Sequence, residues 1–409
     1  MDNPISTPPV PLWRQHDFRL LLGGRLVSQL GDSLQFLALP LLVVALTGSP
    51  TQAGLLLGLQ TVVYLVFGLV AGALVDRWNR RTTMIWCEIG RGSLTATVPV
   101  AAMSGVLGMP QLYAVALLNG VLSTLFGAAN GSALPNIVPV RDLAAALGTV
   151  GAFSSGLRIV GSAVAGVAYA AGRMLPFAVN AVSFLASAAF LRAIRTDFEQ
   201  VRPAAPGSPR TLVTDIGRGL AWLWHRPVIR TLALLDAADS LRFGAGYLLI
   251  VMLAQGLHAS PTQTALVFTG AGVGALLGSL LAPALTRRFP LGSLSITMLW
   301  AEALAFPFYA LAPTWWLLLV VAFTESVVSP VYNVALDSHR LAVTPDALRG
   351  RVTSAIDTLT TGGAAIGTIA SGALIARLGT TTLTFMLAGW LAFLALAATL
   401  SRTVRTARV

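Results

Sequence analysis

The sequence predicts an all-α polytopic membrane protein, with twelve transmembrane helices in two six-helix halves. Three observations carry this prediction: a composition too apolar for water, apolar stretches of bilayer length recurring along the whole chain, and arginines confined to alternate connections. Apolar residues make up 55% of the 409 and charged residues only 11%, against roughly 25% charged in ordinary soluble proteins. The mean hydropathy is +0.76. So few charges cannot cover the surface of a soluble fold of this size, so most of that surface must face hydrocarbon.

A helix needs about 18–20 predominantly apolar residues to cross a bilayer. Such stretches run over 18–46, 53–75, 83–105, 111–134, 144–169 and 174–192, then over 229–255, 262–285, 292–311, 315–337, 352–376 and 380–400. Gly48, Ser49 and Pro50 punctuate the first pair, and Pro110, Pro261 and Pro313 mark later breaks, because proline cannot continue a helix through its own nitrogen. The long polar segment from Arg192 to Arg226 carries Pro203, Pro206, Gly207 and Pro209 and reads as a flexible linker. It ends in an amphipathic stretch with Ile216, Leu220, Leu223 and Trp224 on one side, which reads as a helix lying on the membrane surface. The organisation expected is an N-terminal half over 1–191, a linker over 192–227 and a C-terminal half over 228–409.

Of the 27 arginines, 21 fall at or beyond the span ends on the N-terminal side of the membrane, and only Arg173 and Arg377 lie in connections on the other side. Arginine collects in cytoplasmic loops, so both termini are expected in the cytoplasm, with the protein multi-pass in the plasma (inner) membrane. The net charge of +11 is then turned toward the anionic inner leaflet, and nucleic acid is not the expected partner. The chain has no lysine, which excludes the lysine-bearing phosphate loop of an ATPase and with it ATP as a partner. Cys87 is the only cysteine, so neither an intrachain disulfide nor a thiolate cluster can form. Residues 1–17 lack the basic-then-apolar order of a cleaved signal peptide. No spacing suits a metal, a nucleotide cofactor or a nucleophilic enzyme. The expected partners are a small-molecule substrate, protons and the lipid bilayer, with no cofactor and no metal.

The halves share a weak repeat: GLVAGALVDR at 68–77 matches GSLLAPALTR at 278–287, an offset of 210 residues. Within the first copy, GALVDRWNRR at 72–81 resembles the signature loop of the major facilitator superfamily, through Gly72, Asp76, Arg77, Arg80 and Arg81. Asn79 stands where that loop has glycine, and as a residue tolerant of left-handed backbone it is expected to keep the turn. RLVSQLGD (25–32), LPNIVPVRDL (134–143) and LRGRV (348–352) are similar to the drug:proton antiporter branch that contains macrolide efflux pumps and enterobactin exporters. The Gly-Pro-x-x-Gly element of many such exporters is replaced by GSAVAG at 161–166. The resemblance implies transport by alternating access, with Asp76 as a conformational latch against the start of the eleventh span, near Arg351 to Ser354.

Ionisable groups at membrane depth are costly unless paired or wetted, so they are the candidate site. In the first span Arg25, Ser28, Gln29, Asp32 and Gln35 fall within about 120° of one another at about 100° per residue, a polar stripe suited to one wall of a cavity. Asp32 is the leading proton carrier, with Arg25 or Arg158 as the arginine that would approach it. Glu88 sits three residues before Arg91, so the two can meet, either as a brace or in proton handling. Arg158 shares a face with Ser155 and Ser162, and either holds an anionic substrate group or neutralises Glu88 or Asp32. Asn119 reads as a helix-packing residue or as cavity wall. In the second half Asp239 can pair with Arg242, leaving Asp236 as a proton candidate, and Glu325 shares a face with Ser329 and Tyr332. Glu302 and Glu325 have no arginine nearby in sequence. Asp357 lies among the threonines and glycines of the eleventh span, a composition that equally suits close packing.

Proton-coupling candidates are therefore Asp32, Glu88, Asp236 and Glu325. Cavity candidates are Arg25, Gln29, Gln35, Asn119, Arg158, Asp239, Arg242, Tyr332 and Asp357. No histidine lies within a span, which leaves carboxylates to carry any proton. The reading is a multidrug-type efflux antiporter that exports an amphiphilic small molecule, drug-, antibiotic- or siderophore-like, in exchange for protons. An uptake facilitator or lipid flippase of the same fold, or a sensor or scaffold, stay open beside it.

Overall fold

The structure, a computed structural model, describes residues 12–75, 78–131, 133–196, 217, 221–405 and 407. Its long helices are α1 (His16–Thr47), α2 (Pro50–Val75), α3 (Arg80–Met103), α4 (Met109–Gly131), α5 (Leu143–Ala171), α6 (Leu175–Ala193), α7 (Pro227–Gly256), α8 (Pro261–Arg288), α9 (Leu291–Ala305) and α10 (Trp315–Val343). A last helical stretch, Asp346–Leu400, kinks at Gly379, whose φ of 81° and ψ of 167° suit glycine alone. Residues 346–378 and 380–400 on either side are α11 and α12. Ten helical stretches among the described residues are long and apolar enough to cross a membrane, with α11 and α12 counted as one and α9 counted together with the turn that follows it. The remaining span is α3, which Arg80, Arg81, Glu88 and Arg91 make less apolar than the rest.

Most helices overrun the apolar stretches that predict them, because helical hydrogen bonding does not stop at the hydrocarbon boundary. Local chemistry sets the ends. Ser260 and Gln263 form a reciprocal capping box at the start of α8, and Gly48 takes the left-handed conformation after α1. The ninth span is shorter as a helix than predicted: α9 stops at Ala305, ahead of Pro307, and a single turn, Phe308–Leu311, completes the crossing.

Three local expectations need correction. Asn79 does not take a left-handed turn; its φ is −67°, and its side chain accepts from Thr82 N–H as the N-cap of α3, which satisfies a donor the helix start would leave bare. Residues Arg351 to Ser354 are not the start of α11, which begins at Asp346, so they sit more than a turn inside it, where the backbone donors are already used. Leu223 of the amphipathic stretch is buried with Ile229, Ala233, Val352 and Ile356, packed on α7 and α11 instead of facing lipid, while Trp224 stays exposed.

The apolar core shows how the two sets of six helices meet. One cluster draws Leu34, Leu56, Leu112 and Phe177 from α1–α6 together with Leu248, Met252, Leu318 and Leu391 from α7–α12. The other large clusters are separate: Phe18, Val75, Met84 and Leu191 within the first set, and Leu232, Leu291, Leu336 and Val404 within the second. These separate clusters lie toward the end of the bundle that bears the chain termini and most of the arginines, called the basic end below. The sets thus share one apolar core away from the basic end and keep separate cores toward it. The joint relies on close backbone approach: Gly54 of α2 abuts Gly372 of α11 with no room for a Cβ on either, and Thr51 Oγ1 donates to Gly372 O at 3.3 Å. Within the second set, Gly367 of α11 lies on the Leu241 carbonyl of α7, which answers the small-residue pattern of the eleventh span as packing.

Candidate functional site

Two ion clusters face each other across the gap between the sets. In the first, Arg91 of α3 donates through Nη2 to both carboxylate oxygens of Asp32 on α1, each at 2.9 Å, and its Nη1 lies 3.8 Å from Glu88 Oε1. Ser28 Oγ donates to Glu88 at 3.1 Å, and the Phe184 ring of α6 covers the guanidinium at 4.1 Å, a favourable face for a cation. Glu88 is fully buried and the Arg91 side chain is 7% exposed, but the Asp32 side chain is 45% exposed. One carboxylate of the cluster therefore opens to the gap while its partners do not.

In the second cluster Arg242 of α7 donates to Asp239 at 2.7 and 3.2 Å, to Glu302 of α9 at 3.4 Å and to Glu325 of α10. Tyr309 OH donates to the other Glu325 oxygen at 2.7 Å, and Phe306 faces the guanidinium at 5.6 Å. Three carboxylates thus surround one buried arginine. The repeat relates the clusters with their charges exchanged: an offset of 210 carries Asp32 onto Arg242, and an offset of 211 carries Arg91 onto Glu302.

Each cluster lines a cleft. The first, about 240 Å³, is walled by Asp32, Gln35, Phe36, Tyr64, Arg91 and Asn119 among others. The second, about 220 Å³, is walled by Arg242, Tyr247, Phe268, Tyr309, Glu325 and Ser329 among others. Either alone is below the roughly 300–1,000 Å³ of small-molecule sites. They are divided by the rings of Phe36 and Tyr247, 4.4 Å apart, and Tyr247 OH donates to Phe36 O at 2.9 Å.

The other predicted residues fall as follows. Gln29 Nε2 donates to Ser154 O of α5 at 3.2 Å, and Gln35 Oε1 accepts from Asn180 at 2.6 Å, so the polar stripe of α1 is largely bonded to its neighbours. Asn119 donates to Thr95 at 3.2 Å while also lining the first cleft. Asp236 is half-buried on α7, with no ion pair to its carboxylate among the described residues. Tyr332 is buried in the core of the second set. Asp357 is exposed in a third cleft, with Tyr64, Thr124 and Thr361, where α11 meets α2 and α4. Of the signature loop, Gly72 is half-buried on α2 and Arg80 half-buried at the start of α3. Arg81 caps the end of α6 by donating to Leu191 O and Arg192 O at 3.2 and 2.6 Å. Asp76 and Arg77, and with them the latch, lie outside the described residues.

One pairing expectation is overturned: neither Arg25 nor Arg158 neutralises Asp32 or Glu88, and Arg91 holds both. Glu302 and Glu325, with no arginine nearby in sequence, are brought to Arg242 by the fold. Arg91 and Glu302 are the charged cluster members absent from the predicted site; the spacing of Arg91 from Glu88 is the sequence signal for the first, and none local to Glu302 points to the second.

Residues 6–408 match the family described as transmembrane secretion effector, within the major facilitator transporters. Among similar curated proteins are the multidrug efflux pump Tap of Mycobacterium tuberculosis, 26% identical over 87% of this chain and 86% of its own, and an uncharacterised major facilitator-type transporter of Bacillus subtilis, 28% identical over 68% of this chain and 66% of its own. Similar solved structures include the nucleoside transporter NupG at a TM-score of 0.76 and 15% identity, covering 93% of this chain and 99% of that one. Another is a bacterial homologue of the iron transporter ferroportin in an inward-facing state, at 0.75 and 17%, covering 96% and 99%. At those identities the structures speak for the fold alone.

Proposed function

Because the chain belongs to the transmembrane secretion effector family of major facilitator transporters, we propose that it exports an amphiphilic small molecule in exchange for protons, by alternating access. The observation that carries this reading is the half-open Asp32 held by the buried Arg91. Each cluster has more carboxyl groups than arginines, two against one and three against one. Each can therefore take up a proton without gaining net positive charge, which a buried site tolerates poorly. A proton on Asp32 would release Arg91 to Glu88 and leave the first cluster neutral; losing it would restore the bidentate pair. The substrate would occupy the merged clefts once Phe36 and Tyr247 part, and ordered aromatic and apolar walls suit an amphiphile.

In this reading the sets over 1–191 and 228–409 rock about the joint at Gly54 and Gly372, tethered by 192–227, and Asp76 latches the basic end when it closes. The energy source is the proton gradient, without ATP. The basic end faces the cytoplasm across the plasma membrane. A reporter fused after Val409 should be active in the cytoplasm; activity on the outer side would invert the transport direction assigned here.

The function itself is tested by expression in an efflux-deficient host challenged with antibiotics, cationic and anionic dyes and siderophores. At least one amphiphile should accumulate several-fold less in expressing cells, and a protonophore should restore its accumulation. Greater accumulation on expression would indicate uptake, and export indifferent to the protonophore would exclude proton coupling.

A further inference from the structure

Arg158 carries a charge that neither ion cluster uses. It lies on α5, and its neighbours fix the direction in which it points. Ser154, one turn earlier, accepts through its carbonyl from Gln29 of α1, and Gly161, just under one turn later, abuts Ser33 of α1. On the adjoining face Ile159 abuts Gly272 of α8, and Gly166 abuts Pro261 and Thr262 at its start. The opposite face carries Phe153, Val160, Val164 and Val167, all exposed, an apolar surface suited to lipid. At 3.6 residues per turn Arg158 leaves the helix between the α1 and α8 contacts, with Ser155 and Ser162 beside it. That sector is the gap between the two sets of helices. The Gln29 and Ser33 contacts put Arg158 at the depth of Asp32.

Arg158 is exposed there and makes no ion pair among the described residues. Asp32 and Glu88 are held by Arg91, and Asp239, Glu302 and Glu325 by Arg242, so the acids of both clusters are engaged. A charge at mid-membrane without a partner is costly and marks a substrate or ion path. Arginine cannot discharge itself by losing its proton, and its planar fork matches an oxyanion.

We propose that Arg158 is the anion-binding subsite of the transport cavity, and that the exported amphiphile carries a carboxylate, phosphate or sulfonate group that docks on it. Arg25 lies on the cavity-facing side of α1, one turn toward the basic end from Gln29, and also makes no ion pair among the described residues. It offers the anion a first contact on the way in. This assignment rests on the reading that the gap between the helix sets carries substrate.

The test uses full-length protein in nanodiscs, with dansyl-undecanoic acid and its uncharged primary amide as probes and protein-free nanodiscs as the blank. Wild type should bind the acid at least about 10-fold more tightly than the amide, the range expected for hydrogen bonds to a charged group. Arg158→Gln should remove that preference by weakening the acid alone, and Arg158→Lys should keep part of it. Equal binding of acid and amide by wild type, or no binding of the acid, overturns the assignment. So does an Arg158→Gln variant that weakens both probes alike, the result expected if Arg158 only locks the two sets together in another state. Binding needs no transport, so the two readings fail separately. Export without proton coupling would leave an acid preference intact, and coupled export by a protein that binds acid and amide alike would sink this proposal only.

Discussion

Arg242→Met abolishes transport and lowers the stability of the protein by about 3–5 kcal/mol, the cost of breaking a buried ion cluster from one side. Arg242 is 3% exposed and is the only cation that Asp239, Glu302 and Glu325 share in the described structure. Methionine fills a similar volume, so the loss comes from three carboxyl groups left in a low-dielectric site without a counter-charge. Adding Glu302→Gln to the variant should recover part of the loss, since one fewer buried acid is then stranded. Thermal unfolding in detergent measures both. An Arg242→Met protein that melts with the wild type would show that the cluster is not held by its arginine.

Asp32→Asn has the opposite profile: little effect on the fold and a large one on coupling. The amide keeps size and hydrogen bonding, Arg91 keeps Glu88, and the lost carboxylate is nearly half exposed, so the stability change should stay within about 1 kcal/mol. What disappears is the titratable group that the gap can reach. Gradient-driven efflux should fall at least about tenfold, within the range of coupling energies between linked sites, while downhill exchange of substrate persists. Wild-type accumulation by the Asn variant would move the proton to another carboxylate, with Glu88, Asp236 and Glu325 next in line.

The span pattern and the arginine asymmetry were legible in the sequence, because each is set by the bilayer and acts over short stretches of chain. Pairings three residues apart were legible too: Glu88 with Arg91 and Asp239 with Arg242 meet as helical spacing requires. The long-range half of each cluster was not. Asp32 and Arg91 are 59 residues apart, and Arg242 and Glu302 are 60, and no local rule selects one buried arginine over another. Arg25 and Arg158 looked equally able to serve Asp32, yet α1 and α3 both pack on α6, and that arrangement gives it to Arg91. The repeat adds only that the two clusters stand about one repeat apart, at offsets of 210 and 211 residues. Asn79 shows the converse error: a motif position predicted a glycine-like turn, where the side chain instead found a local hydrogen bond and capped a helix.

The central claim, that substrate leaves as a proton enters through Asp32, is tested most directly by proton movement in everted membrane vesicles with an acidified lumen. An exported dye from the accumulation screen is added, and lumen pH and dye uptake are followed together. The wild type should take up dye while the lumen pH rises in step, and Asp32→Asn should show neither gradient-driven uptake nor the pH change. Dye accumulation by the wild type with the lumen pH unmoved, or with further acidification, would contradict the account.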